Sequence, residues 1–348
     1  MIDLITLIRK NKYKVKYDSK FNIKWSDNEL LSHIIELNCS YNQLRNLPDL
    51  PNCIKLDCSK NRLTNLPDLP NCIVLNCENN QLTILPELPN CTHIDCYNNQ
   101  LTYLPNLPNC IELHCSGNRL TFLLELLKCR KLYCFNNQLT NLPKLSNCIQ
   151  LNCQENQIAN LPELSNCTVL CCYENQLIKL PELPNCIELY CEYNQLTNLP
   201  ELPNCTKLCC YNNKLTNLPE LPNCTHIYCH KNQLTYLPKL PNCKYLNCRD
   251  NKLTNLPELI NCTELYCQNN NLAFTTLKEY KKIWKFKRFY LRFKYFKLFY
   301  KRMIQNLANK KYDLHLELKY SPNLNFYKRD PYYLHFRELQ FTQSILKN

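Results

Sequence analysis

The side chains with the greatest capacity for chemistry in this sequence are its 27 cysteines. Regularly spaced thiols can form disulfides, bind metal ions or pack as small apolar side chains. One ladder runs from Cys39 to Cys267 in steps of nineteen residues, and a second runs from Cys53 to Cys262 with the same step. These two ladders contain 25 of the 27 cysteines, and only Cys171 and Cys209 stand outside them.

The spacing favours packing over the other two kinds of chemistry. Disulfide frameworks belong mainly to small secreted domains. The start of this chain, Met1–Ile8, lacks the pattern of a signal peptide because Asp3 interrupts it and its basic run follows it. A zinc site gathers four ligands, whereas a uniform ladder spreads its thiols along an axis. We therefore expect a thiol core, no metal, no cofactor and a reducing intracellular setting, with disulfides and metal binding as the alternatives.

Cys171 and Cys209 each precede a ladder cysteine, so we expect their side chains to point towards the open face. They lie two repeat units apart, roughly 10 Å at strand spacing, which is too far for a direct disulfide. Their neighbours in sequence include no activating base, and we therefore expect no nucleophilic role for either thiol.

The cysteines must be positioned by a nineteen-residue unit, which reads Leu-Pro-x-Leu-Pro-Asn-Cys-x-x-Leu-x-Cys-x-x-Asn-x-Leu-x-x from Leu199 to Asn217. A fixed short period is typical of a solenoid, in which each unit packs on its neighbours. The alternating stretch Glu188–Glu192 predicts a short strand with one buried face. The two prolines exclude a helix and favour an extended, polyproline-like back.

This pattern of leucine, cysteine and asparagine resembles the leucine-rich repeat family, in its short bacterial-effector type with Leu-Pro-x-Leu-Pro segments. The resemblance implies a repeat solenoid of the α/β type, mostly short parallel strands, with about 13 units forming a curved arc. It covers residues 34–272, and it implies that a protein partner binds the concave face. An N-terminal cap over residues 1–33, with Phe21, Ile23 and Trp25 on the first unit, and a C-terminal cap or tail over residues 273–348 complete the predicted organisation.

An asparagine follows each cysteine of the first ladder by three residues, from Asn42 to Asn270. The chain must turn after the strand, and an amide side chain can bond the main-chain groups left unpaired inside that turn. We therefore expect an internal amide ladder. The unit after Gly117 lacks both prolines, and we expect its back to form a helical turn.

Outward strand residues should form columns across the concave face, and their aromatic content rises from the sixth unit onward. Contiguous exposed aromatic residues are typical of interface hot spots. The alternative is chance, since tyrosine is abundant throughout this sequence and β-sheets favour it. The candidate partner-binding residues are Tyr133, Phe135, Tyr173, Tyr190, Tyr193, Tyr211 and Tyr228.

The net charge of +13 resides entirely in the last part of the chain. Residues 1–270 contain 24 basic and 24 acidic side chains, whereas residues 271–348 contain 18 and 5. Residues 277–311 predict a helix in which lysine and arginine alternate with aromatic residues, and Asp313–Tyr320 alternates as a strand would. A cap is the first interpretation of this segment. Association with single-stranded nucleic acid or with another acidic surface is the alternative.

The sequence contains no phosphate-binding loop, nucleophile elbow or metal-ligand helix. No cysteine follows Cys267, which removes the ubiquitin-ligase domain that some bacterial members of the resembled family have. We therefore predict a monomeric, non-catalytic interaction scaffold without a transmembrane segment. Richness in Asn, Lys, Ile and Tyr with one glycine is similar to leucine-rich repeat proteins of giant DNA viruses. That resemblance implies a viral protein in the host cytoplasm with a host protein as its partner.

Overall fold

The computed structural model describes residues 4–9, 14–18, 24 and 26–319. Two compact units make up the chain, Met1–Tyr280 and Lys281–Asn348. Phe21, Ile23 and Trp25, which the sequence placed in the N-terminal cap, lie outside the described residues.

The described part of the first unit is a fourteen-stranded sheet in which the strands follow chain order. Strand β1 pairs antiparallel with β2, and every later neighbour pairs in parallel. Partners in the parallel pairs are nineteen residues apart, as in Leu189 with Leu208, so the solenoid predicted from the sequence is confirmed. The strands are β1 Lys14–Tyr17, β2 Ile34–Asn38, β3 Lys55–Asp57, β4 Val74–Asn76, β5 His93–Asp95, β6 Glu112–His114, β7 Lys131–Tyr133, β8 Gln150–Asn152, β9 Val169–Cys171, β10 Glu188–Tyr190, β11 Lys207–Cys209, β12 His226–Tyr228, β13 Tyr245–Asn247 and β14 Glu264–Tyr266.

Each three-residue strand from β3 to β14 buries its central residue and turns the two flanking residues towards the other face, as the period of two requires. Parallel hydrogen bonding extends beyond the three-residue strands, because Cys191 N–H donates to the Cys209 carbonyl at 2.8 Å. The core behind the sheet contains the repeated leucines and both cysteine ladders. All 27 cysteines are free thiols, and the 25 ladder cysteines are buried, which confirms their interpretation as core residues.

The thiols of the second ladder also have polar contacts. Each donates to the main-chain carbonyl two residues further on, at sulfur–oxygen distances of 3.2–3.5 Å. A thiol is a weak donor, so this contact satisfies a carbonyl at little cost while the sulfur packs among leucines. Burial raises the pKa of Cys153, a thiol of the first ladder, well above its usual range, so it stays protonated.

The predicted amide ladder is present throughout the array. Asn156 shows the pattern: its Nδ2 donates to the carbonyls of Cys153 at 3.2 Å, Gln154 at 3.1 Å and Cys134 of the preceding unit at 3.0 Å. Its Oδ1 accepts the Leu139 amide of the preceding unit at 2.9 Å. One side chain therefore closes its own turn and joins two units.

The turn beside this amide places one residue per unit in the left-handed region. The position lies two residues after each cysteine of the first ladder, with φ between 51° and 64°. Gly117 occupies it in one unit, and side chains such as Glu155 and Tyr193 occupy it elsewhere. The single glycine thus stands where the backbone favours it.

The back of the solenoid is extended in every unit, including the unit after Gly117. The helical turn expected there is wrong: residues 118–127 contain no helix and keep the turn pattern of their neighbours. A second amide ladder, which the sequence analysis missed, explains the uniformity. Asn147 donates to the Leu127 carbonyl at 2.8 Å, and Asn204 donates to the Pro184 carbonyl at 2.9 Å. These hydrogen bonds hold the back of the solenoid in its extended conformation without requiring proline.

The N-terminal end combines α1 Leu4–Arg9, β1 and α2 Asp27–Ser32. Ser26 and Glu29 form a capping box at the start of α2. Leu4, Ile8 and Leu30 are buried, so these elements place apolar side chains in the core.

Helix α3 spans Leu277–Lys319 and contains the predicted helix of residues 277–311. Tyr280, the last residue of the first unit, is 2% exposed, and its hydroxyl accepts the Leu259 amide at 2.7 Å and donates to the Pro257 carbonyl at 2.8 Å. The strand expected over Asp313–Tyr320 is wrong, because Asp313–Lys319 continue α3, and Tyr320 lies outside the described residues. Extending a formed helix needs no partner, whereas a strand needs a second strand.

Candidate functional site on the concave face

Three columns of outward side chains cover the concave face of the arc. They lie three residues before, one residue before and one residue after each cysteine of the first ladder. The sequence analysis used only the second and third columns. The first column lies on the strands as well, since each strand begins there, and it contributes Lys207 and Tyr245.

All seven predicted partner-binding residues lie on or beside this face. Tyr193 occupies a left-handed turn position at the margin of the columns and is 45% exposed. The other six are half-buried, which indicates that they pack on one another instead of extending into solvent. Ring contacts, polar contacts and neighbouring positions in the columns divide the seven residues among three groups. The half-buried residues are Tyr133, Phe135, Tyr173, Tyr190, Tyr211 and Tyr228.

The first group, called here the His114 cluster, consists of Tyr97, His114, Tyr133 and Phe135. His114 stacks on Tyr97 with 5.2 Å between ring centroids, and it lies 5.5 Å from Tyr133 and 6.0 Å from Phe135. Its Nδ1 lies 3.3 Å from Asp95 Oδ2. The histidine thus joins two predicted residues, and the sequence analysis did not select it.

The second group, called here the Glu192 cluster, surrounds Glu192 on three strands. Tyr173 precedes Glu192 by one unit in its column, and Tyr211 follows it by one unit. Tyr211 stacks on His230 at 4.3 Å with 10° between ring planes, and it meets Tyr193 edge-on at 5.3 Å. Burial and the charge of Glu192 raise the pKa of Tyr211 to about 12, so its hydroxyl remains protonated at neutral pH.

Tyr190 belongs to the same cluster through polar contacts. Its hydroxyl donates to Glu188 Oε2 at 2.6 Å, and Lys207 Nζ lies 5.0 Å from the centre of its ring. A lysine ammonium over a tyrosine face is a cation–π contact. The cluster therefore already holds one cation against an aromatic ring.

The third group joins Tyr228, Tyr245 and Tyr266 near the C-terminal end of the sheet. Tyr245 lies 4.7 Å from Tyr228 and 5.6 Å from Tyr266, measured between ring centroids. Only Tyr228 was predicted. Tyr245 was missed because it stands in the first outward column. The predicted strand, as in Glu188–Glu192, already included that position, but the sequence analysis compared only the two columns beside the ladder cysteine.

Four buried polar atoms have no hydrogen-bond partner within the part of the chain that the structure describes, and all four lie on this face. They are His114 Nε2, Ser116 Oγ, Glu192 Oε2 and His230 Nδ1. Buried polar atoms are normally bonded, so an unpaired one indicates a group that a ligand can satisfy. Two belong to the His114 cluster or its neighbour Ser116, and two belong to the Glu192 cluster.

Glu192 is the most unusual of the four because it is a carboxyl group with 8% exposure. Burial raises its pKa to about 7, with the nearby Glu174 adding to the rise and Lys207 opposing it. The sequence placed Glu192 in the third outward column but gave no indication of its burial. Burial of this kind follows from tertiary packing and has no local sequence signal.

Cys171 and Cys209 correct the expectation of exposed thiols. Cys209 is 8% exposed and Cys171 is half-buried. Cys209 pairs with Tyr190 on one side and Tyr228 on the other, and larger side chains surround the small thiol. Burial raises the pKa of both thiols to about 12, with Glu192 adding to the rise, so neither is a reactive thiolate at neutral pH.

The described residues also bear on metal binding and on membrane crossing. Within residues 26–319 and the shorter described N-terminal stretches, no group of three or more histidine, cysteine or acidic side chains is placed to hold a metal ion. Among the helices that the structure describes, none is both long enough and apolar enough to cross a membrane.

No protein-family model matches the sequence, and no curated protein matches it. Solved structures do match. YopM from Yersinia enterocolitica superimposes with a TM-score of 0.66 at 34% identity, over 70% of this chain and 57% of that one. YopM from Yersinia pestis, a leucine-rich effector protein, gives a TM-score of 0.60 at 32% identity, over 70% of this chain and 79% of that one.

A third structure shares the fold. The functional domain of InlJ from Listeria monocytogenes, which includes a cysteine ladder, gives a TM-score of 0.52 at 24% identity. It covers 72% of this chain and 67% of the InlJ chain. The present chain spans just over half of the YopM chain from Yersinia enterocolitica and about four fifths of that from Yersinia pestis.

Proposed function

Because the chain belongs to the leucine-rich repeat family, we propose that it is a non-catalytic scaffold that binds a protein partner on the concave face of its solenoid. One observation carries the proposal: the four buried polar atoms without a partner in the described chain all lie on that face, beside aromatic rings. Aromatic side chains are enriched in binding hot spots, and the polar atoms beside them can each form one further hydrogen bond to a partner.

The binding residues in this proposal are Tyr133, Phe135, Tyr173, Tyr190, Tyr193, Tyr211 and Tyr228, as the sequence predicted. The rings of Tyr133, Phe135, Tyr193, Tyr211 and Tyr228 each contact a neighbouring ring, which reduces the side-chain entropy lost on binding. His114, Glu192 and His230 add polar contacts between the rings. A protein surface with both apolar and polar groups fits this arrangement.

The test replaces Tyr173, Tyr190 and Tyr211 together with alanine and measures capture of protein partners by the full chain. We expect the triple variant to lose the partners that the parent chain retains, since about 1 kcal/mol or more is typical for each truncated hot-spot residue. Circular dichroism should show an unchanged fold, because these residues lie outside the leucine and cysteine core.

A matched control replaces three exposed residues of the extended back, Glu182, Glu201 and Glu220, with alanine. The control variant should capture the same partners as the parent chain. Undiminished capture by the tyrosine variant, or equal loss in both variants, would refute a binding site on the concave face.

We propose an intracellular setting, a host protein as the partner and a monomeric state. Support for the setting comes from the core: 27 free thiols are compatible with a reducing compartment. YopM from Yersinia pestis, which shares the fold, is described as an effector protein, and that description supports the choice of a host protein as the partner. Mass photometry of the purified chain would test the monomer, and a stable dimer peak would contradict it.

A second candidate function concerns helix α3, which combines basic and aromatic residues. Phe286, Phe289 and Phe299 are each more than 60% exposed, with 72% for Phe289. Lysines and arginines alternate with these rings along the helix. Exposed rings with basic side chains can stack on bases and contact phosphates, so association with single-stranded nucleic acid or another acidic surface is the alternative.

Salt titration with a labelled single-stranded oligonucleotide tests this alternative on the full chain. If α3 contacts phosphates, affinity should fall steeply between about 50 and 200 mM salt. Replacing Lys294, Lys297 and Lys301 with glutamate should then reduce both the affinity and its salt dependence. A weak, salt-independent signal that the variant shares would exclude the nucleic-acid role.

A further inference from the structure

The Glu192 cluster contains a buried carboxyl group that the protein itself leaves half-satisfied. Glu192 is 8% exposed, and its Oε2 has no hydrogen-bond partner among the described residues. We infer that this position binds an arginine side chain of the partner, with the guanidinium between Tyr173 and Tyr211 and its N–H groups on the Glu192 carboxylate. The inference rests on the proposed concave-face function and specifies the chemistry of its partner.

The spacing of the three strands fits a planar cation. Tyr173, Glu192 and Tyr211 occupy equivalent positions in consecutive units, so their main chains are separated by about 4.8 Å each. The main chains at the two tyrosines are therefore roughly 9.6 Å apart. This distance exceeds the roughly 7 Å between two rings that hold a flat group stacked between them. Guanidinium is flat, stacks on aromatic faces and bonds a carboxylate through two parallel N–H groups.

Small residues beside the carboxyl group leave room for such an insertion. Cys171 and Cys209 stand diagonally next to Glu192 in the neighbouring column, where other units have tyrosine, as in Tyr190 and Tyr228. The rings of Tyr173 and Tyr211 are half-buried at the surface. A rotation of the Tyr173 ring would open the position to an entering guanidinium while Tyr211 stays stacked on His230.

The charges around the position favour a cation. Burial and then the carboxylates of Glu155, Glu192 and Glu174 raise the pKa of Tyr173, which places three acidic groups around its ring. Lys207 is the nearest opposing charge, and it lies over the ring of Tyr190 instead of pairing with Glu192. The cluster is therefore net acidic and already stabilises one cation by ring contact.

The ionisation of Glu192 gives the site a pH dependence. Burial raises the pKa of Glu192 to about 7; Glu174 adds to the rise and Lys207 opposes it. The other titratable groups facing it, Cys171, Cys209 and the two tyrosines, remain protonated at neutral pH because burial raises the pKa of each. Arginine binding favours the ionised carboxylate, so affinity should increase as the pH rises from 6 to 8.

The experiment uses the full chain and a fluorescein-labelled nona-arginine peptide in 150 mM salt, with fluorescence anisotropy as the measurement. A peptide with citrulline in place of arginine is the ligand control, because citrulline is flat but uncharged. Glu192→Gln removes the carboxylate charge with almost no change of shape. Glu220→Gln, on the exposed back, is the matched control for the same change of net charge.

We expect the wild-type chain to bind nona-arginine and not the citrulline peptide. Glu192→Gln should weaken binding at pH 8 by at least tenfold and abolish the increase between pH 6 and pH 8, while Glu220→Gln should stay within twofold of the wild type. Affinity of Glu192→Gln within twofold of the wild type, or no binding of nona-arginine at all, would overturn the assignment.

A comparison with the capture experiment separates this inference from the proposed function. If the triple tyrosine variant loses its partners while Glu192→Gln retains them, the concave site stands and the arginine assignment is wrong. If both variants retain every partner, the concave site itself is wrong. Thermal unfolding of Glu192→Gln should show a folded protein in either case.

Discussion

Replacing Asn156 with leucine tests the amide ladder at its centre. The asparagine side chain donates to three carbonyls at 3.0–3.2 Å and accepts the Leu139 amide at 2.9 Å. Leucine has a similar size but no polar atom. The substitution therefore removes the side-chain acceptor of the Leu139 N–H and one of the two amide donors to the Cys134 carbonyl, which keeps Asn137 Nδ2 at 3.2 Å. Both groups lie in the preceding unit.

Each buried polar group left unsatisfied costs about 1–3 kcal/mol. One unsatisfied amide at this half-buried position, together with one lost donor to a carbonyl, gives a loss of about 2 kcal/mol in the free energy of unfolding. For an array of this size, 1 kcal/mol corresponds to about 2–4 °C in melting temperature, which predicts a decrease of about 4–8 °C. Circular dichroism during thermal unfolding measures the change.

Two further variants and one local measurement sharpen the test. Asn156→Asp keeps an acceptor but turns a carboxylate towards three carbonyl oxygens, so it should destabilise the protein at least as much. Gln157→Leu removes an amide from the exposed neighbouring position and should change the melting temperature by less than 2 °C. Hydrogen exchange of the Leu139 amide should accelerate in Asn156→Leu. A melting temperature within 2 °C of the wild type for both Asn156 variants would refute the role assigned to the ladder.

Four other predictions concern Glu192, the cysteine thiols, Gly117 and Tyr280. Glu192→Gln should raise the free energy of unfolding above pH 7 by at most about 3 kcal/mol and leave it unchanged below pH 4.5, because burial raises the pKa of the folded carboxyl group to about 7. Urea titrations of the variant and the wild type at pH 8 and below pH 4.5 measure the difference, and equal stability of the two proteins at pH 8 would contradict the prediction. Thiol-reactive dye should label fewer than one cysteine per native chain at pH 8, since even Cys171 and Cys209 have a pKa of about 12, and all 27 after denaturation. Gly117→Ala should lower stability by about 1 kcal/mol in urea, since its φ of 64° is costly for a side chain. Tyr280→Phe should cost about 1–3 kcal/mol, because it removes the hydroxyl that bonds two main-chain groups, and an unchanged urea midpoint would show those bonds to be dispensable.

The repeated part of the fold could be predicted from sequence because its signals are local and repeated. Strand position, inward cysteines and the amide ladder each depend on residues within one unit and on the period itself. The terminal segments are not repeated, so each of their sequence patterns occurs only once. The sequence analysis did not identify β1, and the alternation of Asp313–Tyr320 predicted a strand where α3 continues.

The candidate site was predicted in part for a related reason. The period specified which residues face outward, so Tyr133, Tyr173 and Tyr211 could be selected from the sequence. The period did not specify how the side chains of adjacent units pack against one another. The burial of Glu192 and of Cys209 depends on rings from neighbouring strands, and only a three-dimensional arrangement reveals it.

The uniform register has a consequence for how such a molecule can change in length. Outside its own unit, the side chain of Asn156 reaches only the preceding unit, and the main-chain bond from Cys191 reaches only the following one. A gene rearrangement that duplicates or loses nineteen whole codons would therefore rejoin equivalent surfaces and leave every remaining contact intact. Each such event would move the His114 and Glu192 clusters apart or together by about 4.8 Å if it fell between them. The distance between two contacts with a partner can thus evolve in fixed steps, independently of the contacts themselves.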